Sequence, residues 1–120
     1  MTKRLIASVI CYACLNLATI AEARTSYDGP WNLLFFTQQG SCDPTYNFSV
    51  NVNNGVLTHP NLVKFSGYVR RSGAVRASVT VHEKYASGSG RLAGDTGHGI
   101  WSGRAGTDRC SGYWTAQRNR

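Results

Sequence analysis

Beyond residue 23 the sequence has no segment in which apolar residues recur at the 3.6-residue spacing of an amphipathic helix, so a helical bundle is not expected. No apolar run reaches the roughly 20 residues of a spanning helix. The longest, Leu5–Ile20, is about 16. The chain also lacks a legible nucleophile–base pair. His82-Glu83 begins a His-Glu-x-x-His zinc motif, but Ala86 stands where the second ligand belongs. Asp95-Thr96-Gly97 has the core of the aspartic-protease motif. That chemistry needs two such carboxylates sharing a proton across a dimer axis, each following an apolar strand, and here Ala93-Gly94 precede the Asp. Gly88–Ala93 matches the dinucleotide fingerprint as a string, yet no helix follows to face a pyrophosphate. His59, His82 and His98 fall in separate segments. Asp43, Asp108 and Arg109 gather near one predicted end of the domain without forming a catalytic pair. No enzymatic activity, metal or cofactor is expected.

What is present begins with an export signal. Lys3 and Arg4 precede the apolar run, and Ala21-Glu22-Ala23 closes it with small residues at the positions a signal peptidase reads. Residues 1–23 are expected to be removed, leaving one domain over residues 24–120 that is periplasmic or secreted. Cys11 and Cys14 lie inside the run and leave with it. Neither has the aliphatic residue three positions earlier that lipid attachment requires.

The mature part keeps 11 Lys and Arg against five Asp and Glu, a net charge of +6, and nine of the 11 are Arg. Such a balance suits an acidic partner; scattered as the arginines are, solubility is the competing reading. Cys42 and Cys110 are the two cysteines left, and in an exported chain a lone pair is expected to bridge. Closing so long a loop contributes about 4 kcal/mol in the chain-entropy description.

Period-2 alternation, punctuated by Gly, Asn, Asp and Ser, predicts strands. Tyr46, Phe48, Val50 and Val52 alternate with Asn47, Ser49, Asn51 and Asn53, and Asn54-Gly55 then signals a tight hairpin. Val63, Phe65, Gly67 and Val69 make the next inward face, and Val75, Ala77, Val79 and Val81 the one after. With Trp31–Gln38, a short Val56–His59, Tyr85–Leu92, Gly99–Arg104 and Cys110–Arg118, eight strands are expected. A meander this long must hide its edges, by closing into an up-and-down barrel or by folding into a two-sheet sandwich. Cys42 lies just after the first strand and Cys110 opens the last. Those two points meet if the end strands are antiparallel neighbours, which favours the barrel.

A hairpin centred on Gly94–Gly97 would set Trp101 across from Gly90, its ring covering bare backbone. Ser-Gly recurs at 89–90, 102–103 and 111–112, a candidate repeat of hairpin strands.

Gly29-Pro30-Trp31 at the first strand and Arg118 with Arg120 at the last resemble the pattern of calycins, a group that includes lipocalins, avidins and a family of periplasmic metalloprotease inhibitors. The resemblance implies a barrel whose floor packs that Trp against an Arg of the final strand. It carries no ligand residues over. The chain as a whole also resembles small exported bacterial proteins, which implies compartment and not mechanism.

The resulting expectation is an exported binding protein for a small molecule or another exported protein. Trp31, Tyr46, Phe48, Trp101 and Trp114 are the inward aromatics that either line a ligand site or fill the core of so small a barrel. The metalloprotease-inhibitor resemblance allows a second function, in which the segment Arg24–Tyr27 would reach a protease cleft. A third is surface interaction or homodimerisation through Leu34 and Phe36, outward on the first strand with Ile100 and Tyr113 nearby. The exported protein is expected to begin at Arg24 and to gain about 2 Da on reduction of its one bridge. An intact mass that starts at Met1, or that is unchanged by reductant, would overturn this.

Overall fold

The structure is a computed structural model and describes residues 25–61 and 64–119. The expected export signal, Arg24, Val63 and Arg120 lie outside the described residues. The described chain is all β: β1 Gly29–Gln39, β2 Thr45–Asn53, β3 Val56–Thr58, β4 Lys64–Val69, β5 Ala74–Val81, β6 Lys84–Ala93, β7 Thr96–Ala105 and β8 Asp108–Arg118. Each strand pairs antiparallel with the next, and β1 pairs with β8, which closes the barrel. The sandwich alternative is thereby excluded.

Alternation and turn chemistry account for the staves. On β2, Val50 and Val52 are buried while Asn47, Ser49, Asn51 and Asn53 are exposed. Asn54 and Gly55 both take positive φ, 52° and 80°, as a two-residue hairpin of this type requires. The β6–β7 hairpin is tighter than the sequence suggested. Gly94 at φ 61° opens a two-residue loop, so Ala93 pairs with Thr96 and Leu92 with Gly97. Gly90 therefore faces Gly99, and Trp101 faces Gly88. The shift is by two residues, so every side chain keeps its face. The aromatic cover changes hands, however. Trp114 lies opposite Gly99, and a Cβ on either Gly90 or Gly99 would stand 2.5 Å from its ring. Bare backbone on two strands thus makes room for an indole supplied by a third.

The first and last strands are joined at both ends. At the mouth, Cys42 and Cys110 form the expected disulfide, with Cα atoms 6.1 Å apart. At the floor, the Arg118 guanidinium lies 4.6 Å from the centroid of the Trp31 ring. It donates to the backbone oxygens of Asp28 (2.9 Å) and Ser26 (2.8 Å) and to Asp95 Oδ1 (3.1 Å). Trp31 is 1% exposed, and its Nε1 donates to the Tyr27 carbonyl at 2.8 Å. One side chain therefore ties the segment before β1, the floor of the core and the β6–β7 turn.

Arg118→Leu keeps the apolar stem but removes the ring contact and three donors. It is expected to lower unfolding free energy by about 2–4 kcal/mol, with Lys recovering only part because it has no planar fork. Urea titration at unchanged slope would show it; a midpoint equal to wild type would remove this role.

Candidate functional site: the calyx and its open end

The inward faces set the site. Trp31, Leu33 and Phe35 descend β1; Tyr46, Phe48, Val50 and Val52 line β2; β4 to β6 contribute Phe65, Gly67, Ala77, Val79, Ala86 and Gly88. Large side chains on β1 and β2 face small ones on β4–β6, and the interior is not filled. A cavity of about 70 Å³ lies among Leu33, Phe35, Leu57, Phe65, Val79 and Trp101. Above it is a chamber of about 320 Å³, bounded by Phe35, Tyr46, Phe48, Val81, Lys84 and Ala86 and reaching Cys42. The two spaces adjoin, with Phe35, Val79, Ala86 and Trp101 lining both, and together make up the calyx, whose upper chamber lies at the disulfide end.

Its chemistry is almost wholly apolar. Among the described residues no polar side chain is buried. All three indole N–H groups are committed to backbone oxygens: Trp31 to Tyr27, Trp101 to Phe36 (3.1 Å) and Trp114 to Ser89 (3.2 Å). A guest would meet hydrocarbon and ring faces. Around the mouth, Phe35 packs edge-on to Phe48 (5.6 Å) and Trp101 (6.3 Å), and Tyr46 edge-on to Trp101 (6.5 Å). The Tyr46 hydroxyl accepts from the Asp43 N–H at 3.1 Å, which moors this collar to the β1–β2 loop.

The five aromatics singled out from the sequence divide by depth. Trp31 seals the floor, Trp101 and Trp114 form mid-barrel core, and Tyr46 and Phe48 are half-buried at the open end. Leu34 and Phe36 point outward as expected. Phe36 stacks on Tyr113 at 4.7 Å, beside Leu34 (36% exposed) and Ile100 (67% exposed). Sequence reasoning placed Val79 on an inward face but did not single out Phe35, Ala86 or Lys84. The signal was available for Lys84: two residues before Ala86 on the same strand, it continues the inward face to the rim, where it pairs with Val81 and Ala105. It places an exposed ammonium at the edge of an apolar chamber. Among the described residues no three His, Cys, Asp or Glu side chains gather as a metal set.

Charge is partitioned between ends and wall. The five described carboxylates sit at the ends: Asp28 and Asp95 at the floor, Asp43, Glu83 and Asp108 in or beside the loops at the mouth. Lys64, Arg76, Arg91, Arg104 and Arg109 stand on β4–β8, and the outer positions of β1–β3 carry no charge. Asp28 has a structural task. Desolvation acts to raise its pKa, but hydrogen bonds from the Thr25 hydroxyl and the backbone N–H groups of Asn54, Gly55 and Thr25 outweigh it and hold the carboxyl below its usual range. The Asn54 and Gly55 donors lie at 2.8 and 3.1 Å.

These features define a class of molecule: a closed eight-stranded antiparallel barrel with a plugged floor and an apolar calyx. Comparison with protein-family models, curated proteins and solved structures finds no match to the chain. The likeness to calycins therefore rests on the barrel and on the Trp31–Arg118 floor.

Because the folded pKa of Asp28 lies below its unfolded one, its stabilisation is complete at neutral pH. It declines as pH falls through the ordinary Asp value of about 3.9 and is gone below the lowered value. Asp28→Asn is expected to be less stable than wild type at pH 7 and equal to it in strong acid. A difference that does not change with pH would show that the carboxylate's charge plays no part.

Proposed function

We propose that the mature protein is an exported, non-enzymatic binding protein that takes a small amphiphile, with its apolar part in the calyx and an anionic end group at the rim. The observation that carries this reading is the apolar lining shared by the mid-barrel cavity and the chamber at the open mouth, with Lys84 and Arg104 as cations bordering that chamber. Burial of hydrocarbon there gains about 0.8 kcal/mol per methylene before the costs of association. The space is at the small end of ligand sites, which suits a medium-chain acyl group or a single substituted ring. The Cys42–Cys110 bridge is compatible with an oxidising compartment. Thr25–Asp28, part of the segment that an inhibitor would extend, is bound to the floor through Arg118, Trp31 and Asp28, which favours a plug over a free arm.

Octanoate and 1-octanol separate the two parts of this reading. Both are expected to bind, with quenching or enhancement of Trp101 fluorescence, and octanoate the tighter by about fivefold through one partly exposed charge contact. Ala86→Leu, which fills the junction of the two chambers, is expected to weaken both by at least about tenfold while circular dichroism stays unchanged. Lys84→Ala is expected to erase only the octanoate advantage. Absence of binding by either compound would return the interior to the status of a loosely filled core.

A further inference from the structure

The outer wall of β4–β8 has an order that the strands conceal when read singly. Ser66, Ser78, Ser87, Ser102 and Ser111 are successive cross-strand partners, one from each of five neighbouring strands, and Gln39 of β1 continues the row. The Ser-Gly recurrence in the sequence is only partly this row, since Ser89 falls in the next one. Toward the floor runs Tyr68, Arg76, Ser89, Ile100 and Tyr113; toward the mouth, Lys64, Thr80, Tyr85, Arg104 and Arg109. The serines, with Tyr68, Arg76, Ser89 and Ile100 of the floor-side row, line an open trough of about 1100 Å³. Tyr68, 43% exposed, lines it, and Tyr85, 45% exposed, stands in the row toward the mouth. None of the three rows contains a carboxylate, whereas four cations stand in them.

We infer that this trough binds a linear acidic polysaccharide laid across the strands. Four features select that partner. The cations require an anionic chain, and Arg forks pair with carboxylates in two-pronged fashion. Serine hydroxyls both donate and accept, matching sugar hydroxyls that do the same. Strands repeat every 4.7–4.9 Å, so the row spans about 19 Å at a pitch close to one pyranose ring of an extended chain. The partly exposed rings of Tyr85 and of Tyr68, which has the Arg70 guanidinium 5.7 Å from its centroid, suit the C–H faces of sugar rings. The wall of β1–β3, with Asn and Ser but no charge, lacks the first feature and serves as an internal control. The calyx opens at the end of the barrel, and of the four cations only Arg104 also borders its upper chamber, so the test uses Arg76 and Arg109.

The mature protein would be titrated calorimetrically with polygalacturonate oligomers, with their methyl-esterified form and with single-stranded oligothymidylate of similar charge. Binding of polygalacturonate is expected, weaker for the neutral ester and falling with salt. Arg76→Gln with Arg109→Gln lowers net charge as much as Asn47→Glu with Asn51→Glu on the opposite wall. The first pair is expected to weaken binding by at least about tenfold and the second by less than about twofold. Tyr68→Ala is expected to weaken it without changing its salt dependence. No binding of polygalacturonate, equal losses in the two charge-matched pairs, or tighter binding of oligothymidylate would each overturn the proposal.

Discussion

A ring of antiparallel strands has no edge only while its first and last members stay paired, and here that pairing is clasped at both ends. Arg118 over Trp31 holds the floor and Cys42–Cys110 holds the mouth. The two clasps differ in kind. The disulfide limits how far the unfolded chain can spread, whereas the Arg118 site acts through geometry, three donors and a ring face converging on one group. Since Arg118 also bonds the segment before β1 and the β6–β7 turn, the floor is sealed by the same contacts that close the wall. The consequence is polarity of form: one end plugged, the other open.

The interior follows from how bulk is distributed once the ring is closed. Trp114 occupies space that Gly90 and Gly99 vacate, and Trp101 lies against Gly112 and Gly88. Bulk is thus concentrated near the β1, β7 and β8 staves, while Ala77, Ala86 and Gly88 leave the other side lean. With every indole N–H satisfied by backbone, the remaining space is apolar without being polar-deficient; no buried polar side-chain atom among the described residues lacks a partner. An interior of this kind can be emptied or filled at little cost to hydrogen bonding, which is what a reversible apolar site requires.

The exterior obeys a different rule. Among the described residues, carboxylates are confined to the floor and the mouth, and the cations on strands to five neighbouring staves, with Arg70 and Arg71 in the β4–β5 turn. This partition gives the barrel a cationic side and a neutral side at a net charge that composition alone describes as scattered arginine. It also means that the calyx and the trough are addressable by separate substitutions, because inward and outward residues alternate along every strand.

Several of these features were legible in the sequence. The period-2 pattern identified the strands, Asn54-Gly55 its hairpin, and the positions of Cys42 and Cys110 the neighbours that close the ring. The Gly-x-Trp at one end and the Arg at the other anticipated the floor. Other features were not. The β6–β7 turn was tighter than Gly94–Gly97 suggested, because Thr96 and Gly97 were free to pair and only the closed ladder shows that they do. Which Trp covers which Gly, the rim position of Lys84 and the row of five serines all depend on pairings between strands. The sequence by itself determined the faces: which residues alternate, and therefore which can point inward. The tertiary structure alone decided the registers, and with them the calyx mouth and the serine row. The physical reason is that alternation is a property of one strand's backbone, whereas register is set jointly by turn length and ring closure, which no single segment contains.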